Sequence, residues 1–107
     1  MTEGKRDAAR RALVRSVLEG EGRASSAQRR TAFENTEQAE PLRTLVDKVA
    51  LYPTRVTDAD VAAAKASGLD EDQVFELVVC AAIGQATRQY EAAREALAAA
   101  MGDDHAS

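Results

Sequence analysis

The sequence predicts an all-α protein of about five helices, and three observations carry that expectation. Apolar residues recur at helical spacing along most of the chain, and no segment shows the period-two alternation of a strand. Helix start and stop signals separate the periodic segments, with Pro41, Thr57 and Asp70 at openings and Gly20, Pro53 and Gly68 at closings. At 107 residues the chain suits one domain, which can bury a modest core at this size. The domain is read as 1–107, with 1–40 forming N-terminal helices and 102–107 a frayed tail that holds the only histidine, His105.

The first helix is expected from Lys5 to Glu19, where Ala9, Leu13, Val14, Val17 and Leu18 share a face and arginines take the other. Gly20 and Gly22 end it, "GEGRASS" forms a loop, and Ser26 is placed as the N-cap of a short helix reaching about Phe33. The polar "ENTEQAE" follows as a connection. Pro41 fits the first position of a third helix, since its missing N–H is not needed there. Leu42, Leu45, Val46 and Val49 then follow at i, i+3, i+4, i+7, and the helix stops before Pro53.

Thr57 with Asp60 forms a capping-box variant that opens "DADVAAAKAS", and Gly68 supplies its left-handed terminator. Asp70 with Gln73 repeats the box and opens a long helix from about residue 71 toward Met101. On that helix Phe75, Val79, Ala82, Ala86, Ala93 and Leu97 make one stripe, with Tyr90 at its margin, and this stripe is expected to be the core face. Glu76, Cys80, Ile83, Thr87, Tyr90 and Arg94 form the adjacent stripe.

Nine of the ten positions from Val74 to Ile83 are apolar, so the helix there is expected to be buried all round. A carboxylate in that setting needs a partner or a proton. Glu76 could pair with Arg43, Arg55 or an arginine of a second subunit, act as an acid or base tuned upward by burial, or occupy a simple exposed edge. Cys80, one turn along, has a carboxylate rather than a cation as its neighbour on the helix, and the expectation is a buried thiol acting as a small hydrophobe. Gly84 implies a close helix crossing or a ligand against the backbone. Arg88 and Tyr90 could mark a subunit interface or line a pocket in which Arg88 clamps an anion; a solvated helix face is the plain alternative for Arg88.

Composition narrows the partners. Fourteen Lys and Arg against 18 Asp and Glu leave a net charge of −4, which argues against a sequence-independent grip on nucleic acid. No apolar run approaches the roughly 18 to 20 residues needed to span a bilayer, and the first residues lack an apolar signal core, so a cytoplasmic protein without membrane contact is expected. A single cysteine excludes an intramolecular disulfide and any CxxC or zinc cluster, and neither metal nor cofactor is expected. The basic "KRDAARR" reads as a solvated face that could dock on an acidic partner.

From Leu45 to Ala93, "LVDKVALYPTRVTDADVAAAKASGLDEDQVFELVVCAAIGQATRQYEAA" resembles the later part of the carboxymuconolactone decarboxylase and AhpD-like superfamily. The resemblance lies in the "VTDAD" helix start, the glycine-ended helix, and the "DEDQVFELVVCAAIG" opening of a long helix. It covers about half the chain and consists of capping and packing residues. It implies an all-helical unit that assembles into homo-oligomers, commonly trimers or hexamers, with active sites near subunit contacts.

The redox branch of that family uses a Cys-x-x-Cys pair followed by a histidine, with an upstream glutamate. Here Cys80 is followed by Ala81, Ala82 and Ile83, and no histidine follows within the helix. The decarboxylase branch acts on a lactone without a cofactor, but its acid–base residues do not map onto positions here. The expected function is thus a noncatalytic or accessory oligomeric protein, trimer, hexamer or dimer, binding a partner protein or small anionic molecule. The alternative is an enzyme: a cofactor-free decarboxylase or isomerase with Arg55 and Arg88 holding an anion beside Glu76 or Tyr90, or a single-thiol redox protein working through Cys80. A DNA-associated regulator acting through the arginine-rich first helix ranks last, because the balancing acids leave no basic domain.

Overall fold

The computed structural model describes residues 2–106, and side chains from residue 4 to residue 102. Five helices follow one another: α1 (Thr2–Glu19), α2 (Ser26–Glu34), α3 (Leu42–Leu51), α4 (Asp58–Ala66) and α5 (Glu71–Ala106), with a single 3₁₀ turn, Pro53–Arg55, between α3 and α4. No strand occurs among the described residues, and none of their helices is long and apolar enough to cross a membrane. The all-α expectation and the number of helices are both met.

Capping chemistry sets most of the boundaries. At α4 both halves of the box form: the Thr57 hydroxyl accepts from the Asp60 amide at 3.2 Å, and the Asp60 carboxylate accepts from the Thr57 amide at 2.9 Å. The same carboxylate accepts from Lys48 Nζ at 2.8 Å, which ties α3 to α4. Gly68, at φ +112, takes the left-handed position that α4's end requires. Asp70 and Gln73 cap α5 reciprocally at 2.8 and 2.9 Å.

The cap of α2 is Ser25, one residue earlier than the expected Ser26. A box needs an acceptor three positions on, and Gln28 stands three after Ser25, whereas Arg29 stands three after Ser26. Asn35, with φ 54, closes α2 in the left-handed region that asparagine tolerates.

The core forms where α2 and α3 lie on α5. One cluster holds Ala24, Ala32, Val46, Leu77, Cys80 and Ala81, a second holds Leu45, Ala64 and Val74, and Leu42, Val49 and Leu69 pack against both. The buried face of α5 therefore runs Val74, Leu77, Ala81, Gly84. This is a correction, because the stripe expected to be the core is not buried: Phe75 is 66% and Leu97 62% exposed, and Ala82, Ala86 and Ala93 are exposed too. At 100° per residue the two stripes lie roughly 150° apart around the helix. The helix is likewise not buried all round between residues 74 and 83.

The physical reason is size. Where the α2 backbone comes closest, the inner face narrows to Ala81 and Gly84, whose small size gives no hydrophobic contrast with the alanines of the outer face. Beyond Tyr90 every described side chain of α5 is exposed, and the helix continues past the expected fraying point at Gly102. At 1.5 Å per residue it is about 54 Å long and accounts for the molecule's 58 Å longest dimension. The His105 side chain lies outside the described ones.

Candidate functional site

The polar residues of α5 converge on the loop between α1 and α2. Asp70, the residue that caps α5, and Gln73 and Glu76 on its first turns all hold this loop. Arg23 Nε donates to Asp70 Oδ2 at 2.6 Å, Gln73 Nε2 donates to the Arg23 carbonyl at 3.3 Å, and Glu76 accepts from the backbone amides of Arg23 at 2.9 Å and Ala24 at 3.0 Å. Gly22 makes this approach possible: a Cβ there would stand 2.5 Å from Glu76 Oε1.

Glu76 is therefore neither paired with Arg43 or Arg55 nor raised toward neutrality. The Arg23 amide, partly opposed by burial, and then the Ala24 amide and the charge of Arg29 hold its carboxyl below the usual glutamate value. Arg43 pairs instead with Glu40 at 3.6 Å. A general acid or base tuned upward needs the opposite shift. Asp70 is held low in the same way, first by the Gln73 amide and then by Arg23.

The charged residue that sequence reasoning missed is Arg29, the one buried charged side chain among the described residues, at 7% exposure. Its Nη1 donates to the carbonyls of Gly20 at 2.7 Å and Val17 at 3.3 Å, satisfying acceptors at the end of α1. The one available signal was its i, i+3 relation to Ala32, which puts both on the inner face of α2. Arg29→Met should lose these donors while keeping most of the packing volume, and should destabilise by about 1.5 kcal/mol in urea melts, the range for a hydrogen bond to a charged group.

Cys80 lies under this assembly, 1% exposed, with its Sγ 3.5 Å from the Val17 carbonyl. Burial pushes its thiol up and Glu76 adds to this, with only Arg29 opposing. Cys80, Glu76, Arg29 and Phe75 border one groove of about 210 Å³ between α1 and α5, closed on the other side by Ser16, Val17 and Glu21. This is where the structure brings two of the expected site residues together.

The other three lie apart from it. Arg88 Nη1 donates to the Phe33 carbonyl at 2.7 Å and its Nη2 to Gln85 at 3.0 Å, so it caps the end of α2. Gly84, one turn before it, lets that same backbone cross, and the expected close helix crossing is found there. The guanidinium groups of Arg10 and Arg94 lie 5.3 and 5.9 Å from the Tyr90 ring centroid. Arg10, Arg11 and Arg94 all converge on Asp7, whose carboxyl is lowered chiefly by Arg10, so the basic face of α1 is partly neutralised from within. Arg55 stacks on Tyr52 at 5.1 Å on the 3₁₀ turn, and Arg55 and Arg88 share no contact that would make one anion clamp.

Among the described residues, no three His, Cys, Asp or Glu side chains come together in a way that could hold a metal ion. Fold and site together define an all-α protein whose polar side chains tie loops and helix ends to one another. Comparison with protein-family models, with curated proteins and with solved structures gives no match.

Proposed function

We propose that the chain is a noncatalytic, self-assembling helical module of the cytoplasm, a divergent member of the carboxymuconolactone decarboxylase and AhpD-like superfamily without CxxC chemistry, that binds a partner protein or a small anionic molecule. One observation carries this reading: the side chains that could do chemistry are engaged in holding backbone. Glu76 accepts from two loop amides, Arg88 caps α2, Arg29 caps α1, and the Cys80 thiol is enclosed with its proton favoured. Such groups can change their interactions only by releasing the loop or helix end they hold.

The enzymatic reading has one observation in its favour, the groove shared by Glu76, Cys80 and Arg29. Two measurements decide between them. Native protein incubated with a neutral alkylating agent near neutral pH should modify Cys80 far more slowly than urea-unfolded protein does. Purified protein should also show no hydroperoxide reduction with a dithiol and no lactone decarboxylation above buffer. Turnover that disappears in Cys80→Ala or Glu76→Gln while the fold is retained would replace the noncatalytic reading with the enzymatic one.

A further inference from the structure

The surface that the fold leaves uncovered has a definite geometry. The chain exposes 7166 Å², about 1,400 Å² more than the roughly 5,800 Å² expected for a compact monomer of 11.4 kDa. Its radius of gyration is 16.6 Å, against about 13 Å for a compact domain of this length. Much of the surplus is α5. Phe75, Val79, Ala82, Ala86, Tyr90 and Leu97 fall within an arc of about 80° on its outward side, a straight apolar stripe about 33 Å long. α1 flanks this stripe through the Arg94–Asp7 contact, α4 flanks it through the groove at Val61 and Val78, and the outward arc between them is open.

We propose that this stripe is a homodimer seam in which two copies of α5 pair antiparallel about a twofold axis beside Ala86, each protruding arm lying on the Phe75 end of the other. The inference rests on the reading of the chain as an assembling module and names its partner as a second copy.

Three features select this occupant and direction. The first is size matching. With Ala86 on the axis, residues pair when their numbers add to twice 86, so Phe75 faces Leu97, Val79 faces Ala93 and Ala82 faces Tyr90, and in the last two pairs alanine meets the larger side chain. Parallel pairing would set each bulky residue against itself. The second is charge: parallel pairing would also place the acidic first turn, Glu71 and Asp72, beside its own copy, while antiparallel pairing separates the two turns by the length of the seam. The third is exposure: Phe75 is 66%, Leu97 62% and Tyr90 39% exposed, so pairing withdraws from water the large apolar side chains that the monomer leaves in it. A twofold interface is self-complementary by construction, as this register is.

Sedimentation velocity or light scattering on the full chain at micromolar concentration should give twice the 11.4 kDa chain mass. Ala86→Arg places two cations at the axis on an exposed position that tolerates the change, and should weaken dimerisation roughly a hundredfold or more with helicity retained. Phe75→Cys mixed with Leu97→Cys should form a disulfide-linked heterodimer under mild oxidation, while neither variant links to itself; Cys80 is buried and can stay. A monomeric wild type, an Ala86→Arg protein that dimerises normally, or a Phe75→Cys protein that links to itself would each overturn the seam. A monomeric wild type would remove the self-assembly and the seam together, the other two outcomes would remove the seam alone, and turnover dependent on Glu76 or Cys80 would remove the noncatalytic reading without touching the seam.

Discussion

Gly84→Ala is expected to destabilise the protein by about 2 kcal/mol, although alanine is the better helix former. In a free helix the change gains about 1 kcal/mol. Here the added Cβ would fall inside the contact distance of the Phe33 carbonyl oxygen and 2.7 Å from its carbonyl carbon. Backbone cannot rotate away as a side-chain tip can, so α2 must shift, and overpacking of a tight core costs about 3 kcal/mol at the upper end of its usual range. The shift also strains the Arg88 cap, which holds the same carbonyl. Gly102→Ala is the internal control: it lies in the same helix with nothing within 4 Å, and should be neutral or gain a few tenths of a kcal/mol. Urea melts of the two variants should move in opposite directions or, at the least, only the first should lose stability. Equal behaviour would show that the α2 crossing does not depend on the missing side chain.

Glu76→Ala should cost about 2.5 kcal/mol, because it leaves the amides of Arg23 and Ala24 without acceptors, and Ala24 is buried. Glu76→Gln keeps a neutral acceptor and should lose roughly half as much. The pH dependence follows from the direction of the shift. The folded carboxyl titrates below its ordinary value of 4.5, so its contribution is complete above that pH and is lost as pH falls through the depressed folded value. Asp70, Asp60, Asp7 and Glu40 are lowered as well and act in the same direction. Wild-type stability should therefore decline below about pH 4.5, and Glu76→Gln should decline less steeply. A wild-type acid limb that matched the variant's would show that this carboxylate does not hold the loop.

These two residues also mark how far the sequence could be read. Gly84 stood out in a helix without an evident reason, and its close crossing could be anticipated because few other circumstances favour glycine there. Glu76 stood out for the same kind of reason, a carboxylate in an apolar run. Its solution was not legible, because the groups that neutralise it are main-chain amides of Arg23 and Ala24, some fifty residues away, which no side-chain pattern announces. Arg29 escaped notice because its partners are also backbone, and its i, i+3 relation to Ala32 is the one mark in "SSAQRRTAFE" that separates it from its solvated neighbour Arg30.

Local chemistry was determined by the sequence itself: five helices, the boxes at Thr57–Asp60 and Asp70–Gln73, the terminator at Gly68, and the stop before Pro53 all depend on groups within four residues of one another. Only the tertiary structure decided which side of α5 is the core. An alanine-rich helix has little contrast around its circumference, so its hydrophobic pattern fits either face. The choice fell to steric fit, since α2 can approach only where Ala81 and Gly84 leave room, and that approach turned Phe75 and Leu97 outward.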